Sequence, residues 1–194
     1  MVRYLPNLLT AVRILAVPVL VVLAIVGWET AFTWVLIPAL LTDIADGLIA
    51  RVFALESRLG AFLDSIADTL LLFASVYGIW SLHPEVITRH PLLCGSAVGL
   101  WTLENVVALL RYERLSSFHT YASKVAANLL GFFIGVLFVF GFHPWLLYLA
   151  VGVSILSSLE ELALLSLLRD WRADVRGLWW VLHEPRPGGR SPSP

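Results

Sequence analysis

Long apolar stretches separated by short polar breaks run along most of the chain. Each stretch approaches the roughly 20 residues that a helix needs to cross a bilayer, and the breaks contain Gly, Pro, His or charged residues. This pattern predicts six transmembrane helices, at about residues 7–26, 31–54, 59–82, 92–110, 121–140 and 145–168. We therefore expect an all-α integral membrane protein with a single six-helix transmembrane domain over residues 1–183. The Pro-, Gly- and Ser-rich residues 184–194 are expected to form a disordered tail.

The composition points to the same class and excludes others. Of the 194 residues, 59% are hydrophobic and 14% are charged, whereas soluble domains have about 45–50% apolar and about 25% charged residues. The mean hydropathy is +0.84. A water-soluble globule of this size could not bury so much apolar surface, so the composition excludes a soluble enzyme, a disordered protein and a nucleic-acid-binding protein. The single cysteine, Cys94, excludes a disulfide within the chain.

The positions of the basic residues predict the orientation in the membrane. With six crossings, both termini share one side with the second–third and fourth–fifth connections, and nearly all Arg and Lys residues fall on that side. The opposite side receives only Arg89. Because cytoplasmic loops carry the basic excess, we expect both termini to be cytoplasmic. The inner membrane of a bacterium is the expected location, with any active site facing the cytoplasm.

Four aspartates interrupt two consecutive predicted helices. Asp43 and Asp46 lie in the second helix, and Asp64 and Asp68 lie in the third. A carboxylate within a span costs about 2.5–3.5 kcal/mol on the insertion scale, which makes it a functional candidate. The spacings of three and four residues place each pair on one helix face. Since a short link makes the helices antiparallel, the four carboxylates are expected to converge near the cytoplasmic boundary.

Such a cluster favours a hard divalent cation. Carboxylate oxygens suit Mg²⁺ or Mn²⁺, and four aspartates exceed what one Mg²⁺ usually takes, so two ions are expected. Arg51 follows the first pair, and its guanidinium is suited to a diphosphate. Gly47, Ala50 and Gly60 are small residues that allow close helix approach. Together these residues indicate chemistry on a phosphoanhydride whose other end is a lipid.

The stretch from Asp43 to Asp68 resembles the signature of the CDP-alcohol phosphotransferase family. That signature is D-x-x-D-G-x-x-A-R, eight residues, then G-x-x-x-D-x-x-x-D, and all eight defining positions match at the same spacing. The opening Pro6-Asn7, Thr10 and Arg13 are also similar to the family's usual start. In size and N-terminal pattern the chain looks nearest to the bacterial phosphatidylglycerophosphate synthase-like members.

The resemblance implies that the six-helix domain is catalytic. It would transfer a phosphatidyl group from CDP-diacylglycerol to an alcohol hydroxyl in phospholipid biosynthesis, releasing CMP. By position, Asp43, Asp46 and Asp64 would be the principal metal ligands, while Asp68 would complete the metal site and act as general base. The residues implied to contact the CDP and diphosphate are Asn7, Thr10, Gly47, Ala50, Arg51 and Gly60.

The acceptor alcohol is less constrained. Four basic residues cluster at the connection between the fourth and fifth helices: Arg111, Arg114, His119 and Lys124. They could bind the phosphate of an acceptor, or they could be ordinary positive-inside residues that face lipid headgroups. Glycerol 3-phosphate is the first choice, although Thr69 replaces the Lys that many phosphatidylglycerophosphate synthases have there. Inositol phosphate and serine follow.

Two other classes remain open: another membrane transferase that uses a diphosphate, and a cation transporter. The chain has no obvious inverted repeat, and an ion path gives no reason for Gly47, Ala50 and Arg51 at fixed offsets, so transport is disfavoured. The expected partners are the lipid bilayer, CDP-diacylglycerol and a small polar alcohol, and no nucleic acid. Members of the resembled family are often homodimers, which makes a homodimer a further expectation.

Overall fold

Helices form nearly all of the structure. The computed structural model describes residues 5–53, 58–112, 120–167, 175 and 177–183, and no β-strand occurs within these ranges. The described residues form eight helices: α1 (Leu5–Val26), α2 (Glu29–Phe53), α3 (Arg58–Leu82), α4 (Pro84–Arg89), α5 (Pro91–Tyr112), α6 (Tyr121–Phe140), α7 (Pro144–Leu167) and α8 (Leu178–His183). The six long helices correspond to those predicted, with every boundary within two residues; α4 and α8 are additional.

Local chemistry fixes several of these boundaries. Pro84, Pro91 and Pro144 each occupy the first position of a helix, where the missing N–H is not needed and the fixed φ is already helical. Gly27 and Gly141 follow the ends of α1 and α6 with φ values of 76° and 87°. These left-handed conformations favour glycine and end a helix cleanly.

Five helices contain segments long and apolar enough to cross a membrane: Leu8–Val26, Leu63–Leu82, Pro91–Tyr112, Tyr121–Phe140 and Pro144–Leu167. α2 is 25 residues long, but its apolar segment covers only Glu29–Thr42 in the part of the chain that the structure describes. The all-helical class is therefore confirmed, with five helices that are candidates to span a membrane. The sixth crossing and the side of each terminus stay predictions.

The first of two compact units comprises Met1–Pro91 and Gly131–Pro144. In it, α1 packs against both α2 and α3, whereas few contacts between α2 and α3 fall among the described residues. One close approach of α2 to α3 occurs at Gly78, where a Cβ atom would collide with the Phe32 ring. Phe32 also packs on Phe138 of α6, with ring centroids 4.7 Å apart.

The second unit comprises Leu92–Leu130 and Trp145–Pro194. Its buried cluster contains Ala108, Leu164, Leu165 and Val175. The carboxylate of Glu160 in α7 accepts a 2.8 Å hydrogen bond from the backbone N–H of Leu178. That N–H begins α8, where no carbonyl of the same helix can accept it. The prediction of one domain over residues 1–183 is untested, and the tail at 184–194 lies outside the described residues.

Candidate active site

A buried arginine connects α1 to the two aspartates of α3. The Arg13 side chain is 0% exposed, and its Nη1 donates hydrogen bonds to Asp64 Oδ1 at 3.1 Å and to Asp68 Oδ1. The two aspartate side chains are 38% and 45% exposed. One guanidinium group therefore holds both carboxylates in place while leaving them accessible to a ligand.

The register of α3 explains why these two aspartates share one partner. Gly60, Asp64 and Asp68 follow each other at four-residue steps, so they lie on one face of the helix. Two carboxylates four residues apart on a helix repel each other. The positive charge of Arg13, placed between them by the packing of α1 on α3, compensates that repulsion.

Arg13 is a site residue that the sequence analysis missed. The sequence analysis named Arg13 only as one residue of an N-terminal pattern similar to the family's usual start. An arginine within a predicted span is nevertheless as unusual as an aspartate. Thr10 precedes it by one turn, and both residues are buried. The available signal was the single basic residue in the first helix of a chain whose next two helices contain four aspartates.

The remaining motif residues are placed only in part. α2 contains five residues of the motif: Asp43, Asp46, Gly47, Ala50 and Arg51. Their surroundings, like those of Asn7, lie outside the described residues. Convergence of all four carboxylates therefore stays a prediction. Among the described residues alone, no group of three or more His, Cys, Asp or Glu side chains could hold a metal ion.

The described half of the site fits a hard divalent cation. Asp64 and Asp68 present only oxygen donors, one helical turn apart and partly exposed. Mg²⁺ characteristically binds one or two protein carboxylates and completes its shell with water and substrate phosphate oxygens. The donor set is thus chemically suited to Mg²⁺ or Mn²⁺, with Asp43 and Asp46 as the further ligands expected from the motif.

The basic residues predicted to bind the acceptor belong to the second unit. Arg111 is exposed in the last turn of α5, with its guanidinium carbon 5.6 Å from the centre of the Tyr112 ring. Lys124 is exposed near the start of α6. Arg114 and His119 lie outside the described residues. Their common role at an acceptor site stays a prediction.

Comparison with known proteins shows that the chain matches one family model and is similar to several relatives. Residues 3–156 match the family model for CDP-alcohol phosphatidyltransferases. The chain is 47% identical over 133 residues to CDP-diacylglycerol–glycerol-3-phosphate 3-phosphatidyltransferase 2 of Arabidopsis thaliana, covering 66% of this chain and 57% of that protein. It is 32% identical over 136 residues to the CDP-diacylglycerol–glycerol-3-phosphate 3-phosphatidyltransferase of Cereibacter sphaeroides, covering 64% and 62%.

A third relative carries a different activity in its name. The chain is 41% identical over 133 residues to the CMP-forming cardiolipin synthase of Oryza sativa, covering 66% of this chain and 40% of that protein. The chain thus spans between 40% and 62% of the lengths of these three relatives. No solved structure matches the chain.

The Arg13 contacts predict a specific loss of stability. Arg13→Gln removes the charge that compensates Asp64 and Asp68, so the unfolding free energy in detergent should fall by about 1–3 kcal/mol. Arg13→Lys keeps the charge with a less suitable geometry and should cost less. Thermal unfolding of the purified variants measures both effects. Arg89→Gln, at an exposed residue of α4, is the control; an equal shift in that control would contradict the assigned role of Arg13.

Proposed function

Since the chain belongs to the CDP-alcohol phosphatidyltransferase family, we propose that it transfers the phosphatidyl group of CDP-diacylglycerol to glycerol 3-phosphate, releasing CMP. The observation that carries the proposal is the unbroken motif from Asp43 to Asp68 on two consecutive helices, two of whose aspartates share the buried Arg13. The choice of glycerol 3-phosphate is supported by the names of the Arabidopsis and Cereibacter relatives.

The aspartates would hold one or two Mg²⁺ or Mn²⁺ ions. Asp43, Asp46 and Asp64 would be the principal ligands, with Asp68 completing the set. A divalent cation at this place supplies charge neutralisation for the diphosphate. Arg13 would contribute by fixing the orientation of Asp64 and Asp68, since a buried guanidinium restricts the rotamers of both carboxylates.

The other residues of the motif would arrange the reactants. Arg51 would hold the diphosphate through its guanidinium, and Gly47, Ala50 and Gly60 would leave space for the nucleotide beside Asn7 and Thr10. Asp68 would accept the proton of the acceptor hydroxyl. A new bond then forms between the hydroxyl oxygen and the lipid-linked phosphorus, and the bond from that phosphorus to the CMP oxygen breaks. Arg111, Arg114, His119 and Lys124 would bind the phosphate of the acceptor.

A second candidate is CMP-forming cardiolipin synthesis, in which the acceptor is itself a phospholipid alcohol. The relative of that name in Oryza sativa favours it. Both reactions use the same donor and release the same nucleotide, so the motif residues do not separate them. Inositol phosphate and serine are the other acceptors to be tested.

We further propose that α2 is the sixth crossing of the membrane. Its 25 residues extend for about 38 Å at 1.5 Å per residue, which exceeds the roughly 30 Å hydrocarbon thickness. The apolar stretch from Phe32 to Leu41 would lie in the hydrocarbon, and the aspartates would lie at the cytoplasmic end of the helix. Both termini would then face the cytoplasm, in a bacterial inner membrane, and residues 1–183 would form one catalytic domain. A homodimer stays a prediction.

The topology proposal predicts where the two termini lie. Six crossings place them on the same side, whereas five crossings place them on opposite sides. A reporter that fluoresces only in the cytoplasm, fused in turn to each terminus and expressed in a bacterium, should give a signal from both fusions. A signal from only one of the two fusions would show that α2 does not cross.

The activity proposal predicts the outcome of an acceptor screen. Purified protein with CDP-diacylglycerol and Mg²⁺ should release CMP when glycerol 3-phosphate is added, and EDTA should abolish the release. Phosphatidylglycerol, inositol phosphate, inositol and serine are assayed in parallel. Release with phosphatidylglycerol alone would instead establish the second candidate. Absence of CMP with every acceptor, despite retained folding, would refute the proposed transfer.

The motif itself predicts the effect of a single substitution. Asp64→Asn removes a charged metal ligand without changing the shape of the side chain, so CMP release should fall by about 10²-fold or more. Glu85→Gln is the matched control, since Glu85 lies beyond the far end of α3, about 27 Å along the helix from Asp64. Near-normal Mg²⁺-dependent release by Asp64→Asn would contradict the metal site.

A further inference from the structure

The short helix α8 presents large apolar side chains to the outside. Trp179 and Leu182 are each 61% exposed, and Trp180 is 44% exposed. Leu178 and Val181 lie on the opposite face and pack against the buried cluster of the second unit. A helix with apolar residues on both faces has no side suited to water, and an exposed apolar patch marks a contact with a membrane or a partner.

The start of α8 is held beside α7, well before α7 ends. The carboxylate of Glu160 accepts a 2.8 Å hydrogen bond from the backbone N–H of Leu178, and α7 continues beyond Glu160 to Leu167, about 10 Å further along the helix. Gly177 permits this close approach, since its φ is 151° and a Cβ atom there would lie 2.8 Å from Oε1 of Glu160. α8 therefore begins near the level of Glu160 and not beyond the end of α7.

This level corresponds to one edge of the hydrocarbon layer. α7 is long and apolar enough to cross a membrane, and its first turn contains the exposed Trp145, a residue type enriched at membrane boundaries. Glu160 lies about 24 Å along the helix from Pro144, and the hydrocarbon is about 30 Å thick. A second marker agrees, because the ring of Trp180 is 5.6 Å from that of Tyr121, the first residue of the apolar segment of α6.

We propose that α8 lies in the interfacial layer of the bilayer, with Trp179, Trp180 and Leu182 inserted among anionic phospholipids. Indole rings favour this layer because they combine an apolar body with a polar N–H group. Basic residues near a membrane surface attract anionic headgroups, and over residues 169–190 arginines outnumber acidic residues: Arg169, Arg172, Arg176, Arg186 and Arg190 against Asp170, Asp174 and Glu184. The helix is thereby a lipid-binding element of the second unit, whatever reaction the chain performs.

A nitroxide spin label on the outward face reports its surroundings. Cys94→Ser removes the chain's only cysteine, and Trp179→Cys then provides a single labelling site in protein reconstituted into vesicles of phosphatidylcholine and phosphatidylglycerol. Collisions of the label with O₂, which concentrates in hydrocarbon, should be favoured several-fold over collisions with a water-soluble nickel chelate. Leu182→Cys, on the same face, should give the same result and keeps the test valid if the loss of Trp179 disturbs the fold.

Two further labelled variants supply reference values. Leu156→Cys, at a 66% exposed position within the apolar part of α7, represents hydrocarbon, and Arg89→Cys, at an exposed position of α4, represents water. Nickel access at Trp179→Cys equal to that at Arg89→Cys would overturn the inference. Protection from both reagents would also overturn it, because protein would then cover the face: a second copy if the two labels broaden each other's spectra, and another segment of the same chain if they do not.

The choice of anionic lipid is tested by changing the vesicles. In phosphatidylcholine alone, nickel access at Trp179→Cys should rise by about two-fold relative to vesicles that contain phosphatidylglycerol, and high salt should reduce this difference by screening the charges. The label at Leu156→Cys should respond to neither change. Equal nickel access in the two kinds of vesicle would overturn the assignment of anionic phospholipids to this surface.

Discussion

The attraction between Arg13 and the carboxylates of Asp64 and Asp68 is the interaction on which the first unit depends. An arginine within an apolar span is costly unless its charge is paired, and removal of water strengthens the attraction between opposite charges. Because Arg13 is fully buried and reaches both aspartates, the ion pair fixes α1 against α3. α1 also packs on α2, so both motif helices pack against α1, while few contacts between α2 and α3 fall among the described residues.

The division of α2 into an apolar and a polar part follows from the same constraint. Residues Phe32 to Leu41 of α2 are mostly apolar, and the motif begins at Asp43. A helix that must both cross a bilayer and present carboxylates to a polar substrate cannot be apolar along its whole length. The 25 residues of α2 are enough for both purposes, with an apolar stretch at one end and the aspartates near the other. α3 combines the same two requirements, since Asp64 and Asp68 lie in its N-terminal half.

The sequence predicts what depends on local pattern and misses what depends on distant partners. The six long helices were predictable because apolar length, proline and glycine determine their boundaries. The shared face of Asp64 and Asp68 was predictable because helical geometry alone defines it. The contacts of Arg13 join residues 51 and 55 positions apart in the chain, and no local pattern encodes such pairing. α8 was missed for a related reason, since its first N–H depends on the carboxylate of Glu160 in another helix.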